Sequence, residues 1–231
     1  MTIKEMHYDF ELRRDSVASG NKPNFLRPQI DWLLNTAMSK VIKSRLTQNN
    51  KSAAGLETNQ RRVDDLKTLL VKYPDQPALA PTQHNGVLEI PLTSLKYTYM
   101  YFVRGAAKLK GCDRELPLVF RQHDDLAYHL ADPFRSDIAF NFGKSSTEDS
   151  ESSIYLYPKN IQVESVKLEY LKQPAKLNYG GYVYIDGITY PEQSCELDQI
   201  LHDEVVDKAI ELSTDDQALS QLYAYRSAMN E

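Results

Sequence analysis

Apolar residues recur at the spacing of an α-helix near both ends of the chain. Within residues 28–46, the recurring positions are Ile30, Leu33, Leu34, Ala37, Met38, Val41 and Ile42. Within residues 195–212, they are Leu197, Ile200, Leu201, Val205, Ala209 and Leu212. A stripe of this kind gives a helix one apolar face, which has to be buried. A shorter stripe at Val63–Leu70 and a capping box at Thr2–Glu5 predict two further helices in the first third of the chain.

The middle of the chain contains short segments rich in β-branched and aromatic residues. They are Gly86–Pro91, Tyr97–Val103, Leu116–Arg121, Ile138–Phe142, Ile154–Tyr157, Val163–Leu171 and Tyr182–Ile188. Such composition favours strands, and short strands separated by turns indicate an antiparallel sandwich or barrel. Asp125–Leu130 predicts a short helix inserted between strands. The acidic serine tract Ser145–Ser153 has no apolar residue, so it is predicted to be a hairpin tip.

The predicted fold class is therefore α+β, an antiparallel β-sandwich or barrel-like domain flanked by N-terminal helices and a C-terminal helix. Residues 1–80 form the N-terminal helical region, which ends in a proline-rich linker that includes Pro74, Pro77 and Pro81. Residues 81–193 form the β domain. Residues 194–231 form a C-terminal helix that is expected to pack with the N-terminal helices.

Charge is distributed unevenly along the chain. Residues 1–72 contain 13 Lys and Arg against 8 Asp and Glu, whereas residues 191–231 contain 2 against 10. One interpretation is ordinary solvated helix faces; the other is head-to-tail contact between copies, which closes into a ring when the rotation allows. The candidate basic contact residues are Arg13, Arg14, Lys40, Lys43, Arg45, Arg61 and Arg62. The candidate acidic contact residues are Asp203, Glu204, Asp207 and Glu211.

No local motif indicates a reaction. Cys112 and Cys195 are too few for a disulfide framework or a thiolate metal site. The His and carboxylate cluster comprises His123, Asp124, Asp125, His129 and Asp132. His123 and His129 are six residues apart and do not share a helix face, so these are interpreted as surface residues. The sequence has no phosphate-binding loop and no G-x-S-x-G elbow. We expect no enzyme activity, no catalytic residue, no cofactor and no metal, although a carboxylate pair that meets only in space stays an open alternative.

The chain has 15 tyrosines, and some of them alternate along predicted strands. Tyr97, Tyr99 and Tyr101 alternate on one strand, and Tyr155 and Tyr157 on another. Three interpretations remain: a sheet face packed on the protein's own helices, a protein interface, or a stacking surface for sugars or single-stranded nucleic acid. The basic residues are concentrated in the helical region, which disfavours nucleic acid.

Five segments carry a resemblance to a known family. They are Met6–Phe10 (MHYDF), Ile30–Asn35 (IDWLLN), Gln60–Leu66 (QRRVDDL), Arg121–Leu126 (RQHDDL) continuing to Asp132–Phe134 (DPF), and Glu196–Val206 (ELDQILHDEVV). In this order they resemble virion structural proteins of crAss-like phages, and the resemblance covers nearly the whole chain. It implies a mechanical role as a head-to-tail connector or tail ring protein, with no catalytic residues to carry over.

The resemblance also implies partners and a location. The ring is expected to link the portal to the tail and to line the DNA exit channel used in DNA ejection. About twelve copies are expected, because connector rings match the symmetry of the portal on which they dock. The implied partners are the chain itself, the portal protein, other neck or tail ring proteins, and genomic DNA that passes through the lumen without sequence recognition.

The expected location is the neck or tail of the virion, reached after assembly in the host cytoplasm. A membrane partner is not expected, since no apolar run is long enough to cross a bilayer. Two alternatives remain open: a carbohydrate-binding β-sandwich module of a phage tail adhesin, and an enzyme with an unrecognised carboxylate pair.

Overall fold

The computed structural model describes residues 1–17, 25–46, 64–84, 86–132, 134, 137–144, 152–158, 161–183 and 187–213. The chain divides into two compact units. The helical unit comprises Met1–Thr68 and Pro174–Glu231, and the sheet unit comprises Leu69–Gln173. Among the described residues, no helix is both long and apolar enough to span a membrane.

Four α-helices and eight strands lie wholly within the described residues, besides two short 3-10 helices at Lys67–Leu69 and Leu92–Ser94. In chain order, the helices are α1 (Ile3–Val17), α2 (Arg27–Leu46), α3 (His123–Ala131) and α4 (residues 199–213). The strands are β1 (Leu70–Val71), β2 (Thr82–His84), β3 (Val87–Pro91), β4 (Tyr99–Leu109), β5 (Glu115–Phe120), β6 (Ile138–Lys144), β7 (Ser152–Tyr157) and β8 (Val163–Lys172).

In the helical unit, α1 contacts α2 and the residues just before it. His7 of α1 contacts Asp31 of α2 at 2.7 Å, and Phe10, further along α1, lies with its ring centroid 6.0 Å from that of Phe25, which precedes α2. The predicted capping box at the start of α1 is present: the Thr2 amide donates to Glu5 Oε2 at 2.7 Å, and the Glu5 amide donates to Thr2 Oγ1 at 3.3 Å.

The apolar stripe predicted for α2 is buried as expected. In α4 the stripe is rotated from the prediction: Leu201, Val205, Val206 and Ala209 are buried, whereas Ile200 is 79% exposed. Arg61, Arg62 and the start of the predicted third helix lie outside the described residues.

The sheet unit is a single curled, half-barrel-like sheet of eight strands in the order β1-β8-β4-β5-β6-β7-β3-β2. Its core consists of aliphatic and aromatic side chains that include Ile138, Phe140, Ile154, Val166 and Tyr170. The α+β class is thereby confirmed, with helices before the sheet and a helix after it.

One strand pair departs from the predicted antiparallel arrangement. β5 and β6 pair in parallel, with Leu118 opposite Ile138 and Phe120 opposite Phe140. Parallel neighbours need a long crossover, and α3, the short helix predicted between strands, provides it and packs against β6.

The boundaries of the two compact units differ from the domain boundaries that were predicted from composition. β1 and the Leu79–Val166 bridge join residues 69–80 to the sheet, because their backbone pairs with β8. Residues 174–193 cluster with the helices, because Asn35 exchanges hydrogen bonds with the backbone of Leu177. The strand predicted at Tyr182–Ile188 is absent from its described residues, which form only an isolated bridge between Val183 and Thr189.

Candidate subunit-contact surfaces

Arg13 is the centre of an ion-pair cluster that joins α1 to α4. Its guanidinium lies 2.7 Å from Asp9, one turn earlier in α1, and 2.8 Å from each of the α4 carboxylates of Asp203 and Asp207. The hydrogen bond to Asp207 is the largest influence that raises the pKa of Arg13, with Asp203 and Asp9 adding to it and partial burial opposing it. The sequence nominated Arg13 as a contact to the acidic residues of a neighbouring copy. In the structure, Arg13 contacts the same carboxylates within one chain.

Two other nominated arginines also contact groups of their own chain. Arg45 Nε donates to Asp65 at 2.9 Å, and its Nη2 donates to Glu204 of α4. Arg14 is buried, with its guanidinium carbon 4.9 Å from the centroid of the Phe25 ring. These arginines hold the helical unit together before any neighbour is present.

The outer surface of α4 carries a stripe of exposed residues at helical spacing. We call Ile200, Asp203, Asp207 and Glu211 the α4 stripe. The side chains of Asp203, Asp207 and Glu211 stay 57%, 64% and 56% exposed, although Arg13 contacts the first two and Lys208 lies 2.5 Å from the third. The stripe therefore presents an isoleucine and three carboxylates to solvent.

A second exposed surface lies on the α1–α2 pair. It contains Tyr8 and Leu12 of α1, which are 69% and 56% exposed, and Trp32 of α2, the only tryptophan of the chain, which is 58% exposed. The exposed lysines Lys40 and Lys43 extend it along α2. We call these five residues the Trp32 face. Sequence reasoning nominated the two lysines but missed the aromatic part; Trp32 at the margin of the apolar stripe of α2 was the available signal.

Asp31 anchors the segment after the sheet unit to both helices of the pair. It is buried, and its Oδ1 lies 2.7 Å from His7 Nε2. Its Oδ2 accepts hydrogen bonds from the Tyr179 amide at 3.0 Å and from the Tyr182 hydroxyl. The carboxylate thus joins α1, α2 and residues 179–182.

His202 of α4 uses both ring nitrogens. Nε2 donates to the Leu197 carbonyl at 3.0 Å, and Nδ1 lies 2.9 Å from the Met1 amine. Burial lowers the pKa of His202, and the Met1 ammonium acts in the same direction. The contacts account for a neutral imidazole that holds the start of α4.

An open cleft of about 610 Å³ lies in the helical unit, beside residues 179–181 and 189–192. Its charged groups engage one another or an aromatic ring: Lys4 lies 2.7 Å from Glu192, and the Arg27 guanidinium lies 4.3 Å from the Tyr179 centroid. The ion pair with Glu192 raises the pKa of Lys4.

The tyrosines of β4 and its approach do not share one side, contrary to the alternation in the sequence. Register shifts between Tyr99 and Tyr101 turn the strand. Tyr99 packs on the core, where burial raises its pKa to about 12, whereas Tyr97 and Tyr101 stay partly exposed.

Lysines lie close to two exposed tyrosines of the sheet unit. The sequence did not indicate these contacts. The ammonium groups of Lys96 and Lys172 lie 5.2 and 5.1 Å from the centroid of Tyr97, and that of Lys167 lies 4.7 Å from Tyr73. Cations at these distances are attracted by the ring faces.

The His and carboxylate cluster of the sequence is only partly gathered: Asp125, His129 and Asp132 line one pocket of about 260 Å³, and His123 does not line it. His123 Nδ1 contacts the Asn141 amide at 3.1 Å, while the buried His129 lies 3.7 Å from Asp137. Within the part of the chain that the structure describes, no group of three His, Cys, Asp or Glu residues is placed to hold a metal ion. Cys112 and Cys195 are free, and burial raises the pKa of the Cys195 thiol.

These features define an α+β protein with one helical unit and one half-barrel sheet, whose helices present surfaces of different charge. No protein-family model matches the sequence. The chain is similar to Ring protein 4/5 of Bacteroides phage crAss001, with 20% identity over 228 residues that cover 92% of each chain. It is therefore a distant homologue of a phage virion ring protein, and the resemblance drawn from the motifs is confirmed to that level.

Proposed function

We propose that this chain is a ring-forming structural subunit of the head-to-tail connector of a tailed phage. Copies assemble side by side in the neck or tail, link the portal protein to the tail, and enclose the channel through which DNA leaves. The observation that carries the proposal is the similarity to Ring protein 4/5, because it runs over 92% of both chains. A match of that extent includes both the helical unit and the sheet unit.

The geometry of the helical unit supports assembly into a ring. A closed ring requires that each subunit present two different surfaces, one for each neighbour. The α4 stripe and the Trp32 face are two such surfaces, one acidic and the other apolar with lysines on its α2 half.

The proposal includes a copy number and a behaviour toward DNA. We expect about twelve copies, since a connector ring matches the symmetry of its portal. The chain has 32 acidic against 27 basic residues. Like charges repel the phosphates, so a lumen with an acidic excess lets DNA slide without sequence recognition.

The test is co-expression with the portal protein of the same phage, followed by mass photometry and negative-stain microscopy. We expect annular particles whose mass exceeds that of the portal alone by about twelve times the 26.5 kDa of one chain. A side-chain-resolution map of the virion neck would then locate the ring. A chain that stays monomeric and ignores the portal at high concentration would contradict the proposal.

The alternative of a carbohydrate-binding tail-adhesin module depends on the exposed tyrosines. Sugar rings stack on free aromatic faces, but two ammonium groups lie close to the Tyr97 ring and one to the Tyr73 ring. Any sugar would have to displace these lysines, so the structure favours this alternative less. Glycan binding by a monomer would support it, and polysaccharide hydrolysis lost on substitution of one Asp or Glu would support an enzyme instead.

A further inference from the structure

We infer that the Trp32 face of each subunit receives the α4 stripe of the next copy in the ring. The inference rests on the proposed function and adds to it the two surfaces that meet. Sequence reasoning matched the acidic C-terminal helix to basic residues that include Arg13 and Arg45, but the structure engages those two within one chain. The Trp32 face keeps its aromatic and aliphatic side chains and its two lysines exposed in the single chain.

The two surfaces consist of different side chains on different helices. The Trp32 face is made by residues of α1 and α2, and the α4 stripe by residues of α4. Arg13 and Arg45, which hold α4 through Asp207 and Glu204, do not belong to the Trp32 face. Non-identical surfaces give head-to-tail contacts, which close into rings.

The Trp32 face has the composition of an interface centre. Tryptophan and tyrosine are enriched among the residues that dominate binding energies. Trp32 and Tyr8 are more than half exposed in the single chain, and Leu12 adds an aliphatic side chain one turn after Tyr8. Covering these side chains removes apolar surface from water, which favours association.

The spacing of apolar and charged residues on α2 matches that on α4. Trp32 precedes Lys40 and Lys43 by 8 and 11 residues, and Ile200 precedes Asp207 and Glu211 by 7 and 11 residues. At about 1.5 Å per residue, both helices span about 16 Å from the apolar residue to the last charge. If the helices lie side by side in parallel, Ile200 meets Trp32 while the carboxylates meet the lysines.

The complementarity belongs to the α2 half of the surface. The α1 margin carries exposed carboxylates of its own, Glu5 and Glu11. Those charges repel the acidic α4 stripe and place it over α2 rather than over α1. The lysines thus fix the register, while Trp32 contributes most of the affinity.

The test uses full-length W32E and I200E, each of which disables one of the two surfaces. Each variant alone is expected to raise the concentration for half-assembly about 30-fold or more, the loss typical of a central interface residue. Mixed in equal amounts, they are expected to form dimers and nothing larger, because only one intact pair of surfaces remains. Mass photometry counts the species directly.

The control is Y128E, which places the same charge on an exposed aromatic residue of α3 in the sheet unit. It is expected to assemble as the wild type does, and circular dichroism checks that all variants are folded. If W32E formed rings as readily as the wild type, this inference would be overturned, whereas the proposed function would still stand. Dimers of I200E alone would show that two Trp32 faces meet each other, which also overturns it. A wild type that forms no ring with the portal contradicts the proposed function itself.

A charge exchange tests the register independently of the apolar contact. K43E and E211K are each expected to weaken assembly several-fold, since each places like charges across the interface. Each copy of the double variant K43E/E211K carries both reversed charges, so opposite charges face each other again and assembly is expected to recover. Additive loss in the double variant would show that Lys43 and Glu211 do not meet.

Discussion

A single buried carboxylate, that of Asp31, joins α2 to α1 and to residues 179–182. It contacts the His7 ring and accepts hydrogen bonds from the Tyr179 amide and the Tyr182 hydroxyl. None of these residues is near Asp31 in sequence. Within the stripe Ile30–Ile42, an aspartate would be expected on the solvent side, so its burial was not predictable. It is buried because residues far along the chain supply the donors that a buried charge requires.

Substituting Asp31 is expected to destabilise the helical unit strongly. D31A leaves those donors buried without an acceptor, and breaking a buried pair in this way costs about 3–5 kcal/mol of unfolding free energy. D113A is the control, because that side chain is fully exposed, and it is expected to change stability by less than about 0.5 kcal/mol. Urea denaturation followed by circular dichroism measures both. Equal stability of D31A and the wild type would contradict the role given to Asp31.

At the scale of elements, the local sequence indicated where most strands lie but not how every strand packs. Composition rich in β-branched and aromatic residues indicated the positions of the longer strands β3–β8. β1 and β2, with 2 and 3 residues, are too short to show a period. The irregular register of β4 against β8 separates Tyr99 from Tyr101, which strict alternation places together.

Two strand glycines give a matched test of sheet packing. A Cβ added at Gly105 would lie 2.7 Å from Leu118 Cδ1 and 3.2 Å from Leu118 Cβ, within the core. One added at Gly143 would lie 2.7 Å from the ring of Tyr155, which is half-buried and outside that core. G105A is therefore expected to cost about 1–3 kcal/mol and G143A less. Chemical denaturation compares them, and a larger loss for G143A would show that this packing account is wrong.

At the scale of the whole molecule, the charge asymmetry has two roles. Part of it is used within the chain, where Arg13 and Arg45 hold α4. The exposed charges of the Trp32 face and of the α4 stripe, whose carboxylates also have partners within the chain, are proposed to act between copies. Exposed ion pairs contribute about 0–1 kcal/mol each and are screened by salt, so several must act together.

Assembly is accordingly expected to weaken with salt without being abolished. Raising NaCl from about 0.05 to 0.5 M is expected to increase the half-assembly concentration roughly tenfold, because screening reaches the lysine–carboxylate contacts but not the burial of Trp32. Light scattering over a salt series measures this. The half-assembly concentration of K43E is expected to depend less on salt than that of the wild type. That of K43E/E211K is expected to depend on salt as the wild type does. Assembly that strengthens with salt would argue for an apolar contact alone.

The sequence by itself determined the local features of this protein. The capping box of α1, the apolar stripe of α2, most strands and the inserted helix α3 are encoded by neighbours a few residues apart, as is the family resemblance. Only the tertiary structure decided the parallel pairing of β5 with β6, the burial of Asp31, and the pairing of Arg13 with Asp207 within one chain. The last contact joins residues 194 positions apart, and no local period records which distant group a side chain will meet. For the same reason the Trp32 face became visible as a surface only once α1 and α2 were seen side by side.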